Sequence, residues 1–132
     1  ICTMSKLCGH AGVIEHNGDV YSCDHFVFPQ YRLGNIRALS VMEMMESEQQ
    51  RKFALMKIQG LTDKCRQCKF LSLCYGECPK NRFVEMSGEV NRHNYLCGGY
   101  KYFFNYSARY FEFMAEEFKA QRPPANVMKL FR

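Results

Sequence analysis

Cys65-Arg66-Gln67-Cys68-Lys69-Phe70-Leu71-Ser72-Leu73-Cys74-Tyr75-Gly76-Glu77-Cys78-Pro79 puts four thiols into fourteen residues, in the spacing C-x2-C-x5-C-x3-C-P. A C-x2-C pair lets two thiolates converge on one ion or cluster edge, so the run reads as a metal-binding segment. Cys2, Cys8, Cys23 and Cys97 bring the total to eight, enough for two complete four-cysteine sites. The fold class expected is α+β: a small domain stapled by its metal, because the cysteine-rich loops have little core of their own.

The chain of 132 residues is one domain's worth, and Phe, Tyr and Met supply much of its 47% hydrophobic content. Eight cysteines would also suit four disulfides in a secreted protein. No charged-then-apolar leader opens the sequence, which favours metal over disulfides and a cytoplasmic location. No apolar run approaches the about 20 residues that span a bilayer, so no membrane is expected as a partner. The formal charge is +5. Eight thiolates and two oxidised [4Fe–4S] cores would bring the loaded chain to about +1. The basic residues are scattered rather than striped with aromatics, and nucleic acid is not an expected partner either.

Outward from the central run, Asn17-Gly18 between Val13-Ile14-Glu15-His16 and Asp19-Val20-Tyr21-Ser22 predicts a β-hairpin with a type I′ turn. Such a hairpin would return Cys23 to the neighbourhood of Cys8. Ser40-Val41-Met42-Glu43 reads as a capping box, and Ser47 as the start of a second helix that stops at Gly60. Met42, Met45, Phe53, Leu55, Met56 and Ile58 form its expected apolar stripe, as core filler rather than ligands. Short helical turns at most are expected over residues 61–100. A long aromatic helix is predicted from about Tyr102 to Gln121, with Phe104, Ala108, Phe111, Ala115 and Phe118 on one face. Arg122-Pro123-Pro124 ends it, and Ala125 to Arg132 form an apolar tail.

The eight cysteines divide in two ways. The central run taken whole leaves Cys2, Cys8, Cys23 and Cys97 for the other site. In bacterial ferredoxins, however, the cysteine before Pro ligates the second of two clusters. By that logic one site is Cys2, Cys8, Cys23 and Cys78, and the other is Cys65, Cys68, Cys74 and Cys97. Zinc is the alternative occupant, since closed four-cysteine zinc sites are common and spacing does not exclude them.

The pattern Cys8-x9-Gly18-x4-Cys23, a gap, Cys65-x2-Cys68-x5-Cys74-x3-Cys78, a gap, then Cys97 resembles the SPASM domain of radical S-adenosylmethionine (SAM) enzymes that modify peptides and proteins. Cys8-Gly9-His10, Gly18-Asp19-Val20-Tyr21-Ser22-Cys23-Asp24-His25, Cys78-Pro79-Lys80-Asn81-Arg82 and Asn94-Tyr95-Leu96-Cys97 resemble anaerobic sulfatase-maturating enzymes in particular. The likeness implies a SPASM-like domain over residues 1–105, with 106–132 as the rest of a C-terminal helix and a tail. It implies two auxiliary [4Fe–4S] clusters in the interleaved arrangement, and oxidation of a sulfatase Cys or Ser to formylglycine. It also implies a proton-accepting role for Asp24; a turn-capping Asp is the plainer reading.

His10, His16 and His93 are expected on turns or the surface, and His25 as a packing residue near Asp24. Lys80, Arg82 and Lys101 are expected at the solvated surface unless they offset cluster charge or touch acidic groups of the substrate. The signature C-x3-C-x2-C is absent from these residues, and a barrel needs roughly 200 residues or more. The chain is therefore expected to be either the C-terminal domain of a full-length protein whose barrel binds S-adenosylmethionine, or a stand-alone relative. Competing readings are another peptide-modifying SPASM enzyme and a zinc interaction module.

Overall fold

The computed structural model of the chain describes residues 2–9 and 11–131; His10 lies outside them. The chain forms two compact units, Ile1–Tyr95 and Leu96–Arg132. Helices and small antiparallel sheets are both present, as expected of an α+β domain.

In the first unit, β1 (Val13–Ile14), β2 (Asp19–Tyr21) and β3 (Arg32–Asn35) make an antiparallel sheet in that order. Val13 faces Tyr21 and Ile14 faces Val20, so the predicted hairpin is present. Its turn is not type I′. Gly18 alone of the pair has positive φ (87°), Gly18 N–H donates to Glu15 O, and Glu15 N–H donates to Asp19 O. This is a three-residue loop whose left-handed last residue makes the bulge. Asn17 is used through its side chain instead: its Oδ1 accepts from the Asp19 N–H at 2.9 Å. β3 was not anticipated, because Arg32-Leu33-Gly34-Asn35 lacks alternation; Asp19 holds it through Arg32 and Asn35.

Two helices follow as expected, α1 (Val41–Met45) and α2 (Glu48–Gln59). Ser40 and Glu43 form a complete capping box, and Ser47 caps α2 through the Gln50 N–H. The buried face differs from the expected stripe. Met42 and Leu55 are exposed, while Met44 and, on α2, Gln50, Phe53 and Lys57 are buried. Helical spacing puts Gln50, Phe53 and Lys57 on one side, and two of the three are polar because backbone carbonyls and thiols meet that side.

Thr62 caps α3 (Asp63–Arg66), and α4 (Leu71–Cys74) ends in a left-handed Tyr75. β4 (Arg82–Val84) then pairs with β5 (His93–Asn94), a hairpin that two- and three-residue strands made invisible to pattern reading. Phe26, Tyr31 and Phe53 pack edge-to-face at 5.2–5.4 Å between centroids, an arrangement aromatic rings prefer. Cys23 and Cys78 lie in the same cluster, with Cys8 packed against it.

The second unit is α5 (Cys97–Lys119) and a run of 3₁₀ turns, Pro124–Phe131. α5 begins five residues before the predicted start, and residue 105 falls within it. Phe111 and Phe118 of the expected apolar face are exposed, and Ser107 and Glu117 are buried instead. Ser107 Oγ donates to Phe103 O, and Glu117 accepts from Arg122 and Asn126. The Glu117 bonds and the stacked Tyr110 and Phe131 rings fold the tail back on α5.

Candidate metal centre

Cys2, Cys8, Cys23 and Cys78 line one cavity, together with Thr3, His25 and Lys57. Three separated stretches of chain deliver them. Cys2 sits in an N-terminal 3₁₀ turn, Cys8 on the loop after it, Cys23 after β2, and Cys78 after α4. Cys8 N–H donates to Ala54 O, which fastens its loop to α2. Gln50 Nε2 donates to Gly9 O at 2.9 Å and to Ser22 O at 3.3 Å, so one side chain clamps the residues beside Cys8 and Cys23.

The path to Cys78 explains why it leaves its neighbours in sequence. Tyr75, Gly76 and Glu77 all have positive φ (45°, 71° and 55°), a left-handed reversal that costs energy at the two non-glycine residues. Arg82 stabilises it by donating to the carbonyls of Tyr75, Gly76 and Glu77, and also to Lys57 O at 2.7 Å. The buried Glu77 carboxylate accepts from Asn81 and Asn94.

Cys65 and Cys68 lie on and just after α3, and Cys74 at the end of α4; all three are half-buried. Cys97 opens α5 in the second unit. All eight cysteines are in the thiol form in the structure.

Burial pushes the thiols of Cys8 and Cys78 above the usual range, and that of Cys23 to about 11. Protein alone does not ionise them, whereas a bound metal deprotonates a coordinating thiol outright. Four converging soft donors fit a closed iron–sulfur or zinc site. A buried cation beside them adds to the fit, because it offsets thiolate charge. Burial lowers the Lys57 ammonium from its ordinary value, against the pull of Cys8.

Asp24 is exposed, between Cys23 and His25 of the cavity lining. Its Oδ1 accepts from Cys23 Sγ at 3.3 Å and from the His25 N–H at 3.0 Å. The Cys23 bond is the first cause of a lowered Asp24 pKa. A thiolate has no proton to give, so metal binding removes that bond. His25 Nδ1 is 3.4 Å from Cys78 Sγ, which puts it on the cavity wall.

His93 corrects the surface expectation. It is buried in β5, with Nδ1 2.9 Å from Thr62 Oγ1 and 3.5 Å from Cys65 Sγ. His16 is exposed, as expected. Arg82 is half-buried, not solvated, and Lys80 lies over Phe28. Gln50 and Lys57 were missed from sequence; their only signal is the shared helical face with Phe53.

The profile of the SPASM family, an iron–sulfur cluster-binding domain, matches residues 6–69. That stretch holds Cys8, Cys23, Cys65 and Cys68. Along all 132 residues it is 54% identical to a serine-type anaerobic sulfatase-maturating enzyme of Bacteroides thetaiotaomicron, covering 32% of that enzyme. A cysteine-type anaerobic sulfatase-maturating enzyme of Clostridium perfringens is 33% identical over 106 residues, 80% of this chain and 28% of the enzyme. The structure of native anSMEcpe with bound AdoMet and Cp18Cys peptide superposes with a TM-score of 0.68. It has 33% identity, over 83% of this chain and 30% of that one. The chain thus spans about a third of the length of the relatives it matches. For the cysteines inside it, the SPASM match supports iron–sulfur binding. No helix among the described residues is long and apolar enough to cross a membrane.

Proposed function

We propose that this SPASM domain is the auxiliary-cluster part of a radical SAM enzyme that oxidises a sulfatase Cys or Ser to formylglycine. Cys2, Cys8, Cys23 and Cys78 hold one [4Fe–4S] cluster, and Cys65, Cys68, Cys74 and Cys97 hold the other. The observation that carries the reading is the cavity on which the first four converge; similarity to a sulfatase-maturating enzyme along the whole chain supports the substrate class. When bound, such clusters supply one-electron acceptors. The radical arises on a SAM-binding barrel elsewhere in the full-length protein. This domain works in the cytoplasm, where thiols stay reduced. A separate SPASM boundary at residue 105 belongs to the same proposal.

Asp24 is the residue of this chain assigned to chemistry. Its exposed carboxylate beside Cys23 accepts the proton of the substrate's thiol or hydroxyl as the adjoining carbon is oxidised. The test compares wild type and Asp24→Asn in the full-length enzyme, with Ser- and Cys-containing sulfatase peptides. Iron content and S-adenosylmethionine cleavage should persist in the variant. Formylglycine should form about 10²–10⁴-fold more slowly, the usual effect of a lost general base. Product formation at the wild-type rate would reduce Asp24 to a turn residue. Zinc in place of iron after anaerobic purification would refute the cluster assignment.

A further inference from the structure

We propose that the buried Lys57 ammonium is the counter-charge of the cluster held by Cys2, Cys8, Cys23 and Cys78, and that it raises that cluster's reduction potential. The inference rests on the reading of those four cysteines as cluster ligands.

Lys57 is fully buried, which is rare for lysine because an uncompensated buried charge is costly. Nζ donates to Cys2 O at 3.2 Å and Thr3 O at 2.8 Å. These acceptors are neutral, and Lys57 forms no salt bridge with a carboxylate among the described residues. The charge therefore lacks a carboxylate partner among the described residues. What it does face is the cavity lined by the four thiols.

An oxidised [4Fe–4S] core with four thiolates carries a total of about −2, and accepting one electron makes it about −3. A fixed positive charge in a low-dielectric interior stabilises the more negative form more, so reduction becomes easier. The added electron is the one released by the substrate radical in the reaction proposed above; Lys57 makes and breaks no bond. The cavity that Lys57 lines holds the thiols of Cys2, Cys8, Cys23 and Cys78, all of one group. Lys57 thus acts on that cluster. Arg82 fixes the last turn of α2 through Lys57 O, which keeps the ammonium aimed at the cavity.

The test is an anaerobic, EPR-monitored redox titration of the cluster-loaded full-length protein, with iron counted in parallel. Wild type is compared with Lys57→Met, which keeps the stem, and Lys57→Arg, which keeps the charge. Lys57→Met should retain its iron and make one of the two auxiliary-cluster potentials more negative by on the order of tenfold in the equilibrium, about 59 mV for one electron. Lys57→Arg should stay close to wild type, and the other potential should not move in either variant. An iron-replete Lys57→Met with unchanged potentials overturns the inference, as does an equal shift in Lys57→Arg. Iron lost from Lys57→Met alone supports a required counter-charge; equal loss from both variants overturns it in favour of shape. A wild-type protein without iron refutes the cluster reading itself, before any Lys57 effect is measured.

Discussion

Cys65, Cys68 and Cys74 are set by ten consecutive residues, whereas Cys2 with Cys8, Cys23 and Cys78 reach one cavity from three distant stretches of chain. In the first group the ordering forces are local. Thr62 caps the Cys65 N–H, Cys68 N–H donates to Cys65 O, and Cys74 N–H donates to Phe70 O. In the second group they are tertiary: Gln50 clamps Gly9 and Ser22, Lys57 holds Cys2 and Thr3, and Arg82 closes the left-handed turn before Cys78. Helix caps suffice for neighbouring ligands. Gathering distant ones recruits buried polar side chains whose donors match otherwise unpaired carbonyls.

The largest effect expected from this contrast is the loss of a whole cluster. Cys78→Ala should strip iron from the site shared with Cys2, Cys8 and Cys23 and leave the other loaded. Cys97→Ala should do the reverse. Iron analysis with EPR of the remaining cluster decides it, and loss of the Cys65 site in Cys78→Ala would mean that the central run acts as one site after all.

A smaller effect should follow from Arg82→Lys. An ammonium has three donors on one atom and does not span the four carbonyls that the guanidinium fork reaches. Each buried carbonyl left unpaired costs about 1–3 kcal/mol. The loaded variant should therefore unfold at lower urea, with faster hydrogen exchange over residues 75–82 than over 63–71. Equal loosening of both segments would erase the distinction between tertiary and local ordering.

The smallest effect concerns acid. Arg32 and Asn35 hold the Asp19 carboxyl down at about 2 in the first unit, and Arg122 and Asn126 do the same for Glu117 in the second. A carboxyl with a depressed folded-state pKa contributes stability that is complete above its unfolded value near about 4. That contribution is lost as pH falls through about 2. Hydrogen exchange at β3 and at the 124–131 turns should accelerate together in that window. Asp19→Asn and Glu117→Gln should each flatten the response in its own unit alone; a response unchanged by either substitution would show that the ion pairs add nothing.

Much of the frame was legible from local chemistry. Asn17-Gly18, Ser40-x-x-Glu43, Ser47 and the long aromatic run announced the hairpin, two helices and α5, because turns and caps are decided by residues within four positions of each other. The turn type was misread because Asn17 bonds through its side chain and leaves positive φ to Gly18. β3, β4 and β5 carried no signal, since strands of two to four residues are too short to show alternation. His93 was misplaced for the same reason: its burial comes from pairing with β4 and from Thr62.

What the sequence determined by itself was the identity of the donors: eight cysteines, their spacing, and the Pro that follows Cys78. Thiol chemistry and short-range spacing are properties of the covalent chain. Only the tertiary structure decided which side chains attend them. The inward face of α2 carries Gln50 and Lys57, residues that elsewhere would point to water, and β4 returns Arg82 to the turn before Cys78. Long-range hydrogen bonds of this kind depend on which carbonyls are left unpaired once the loops have closed, and no local pattern records that.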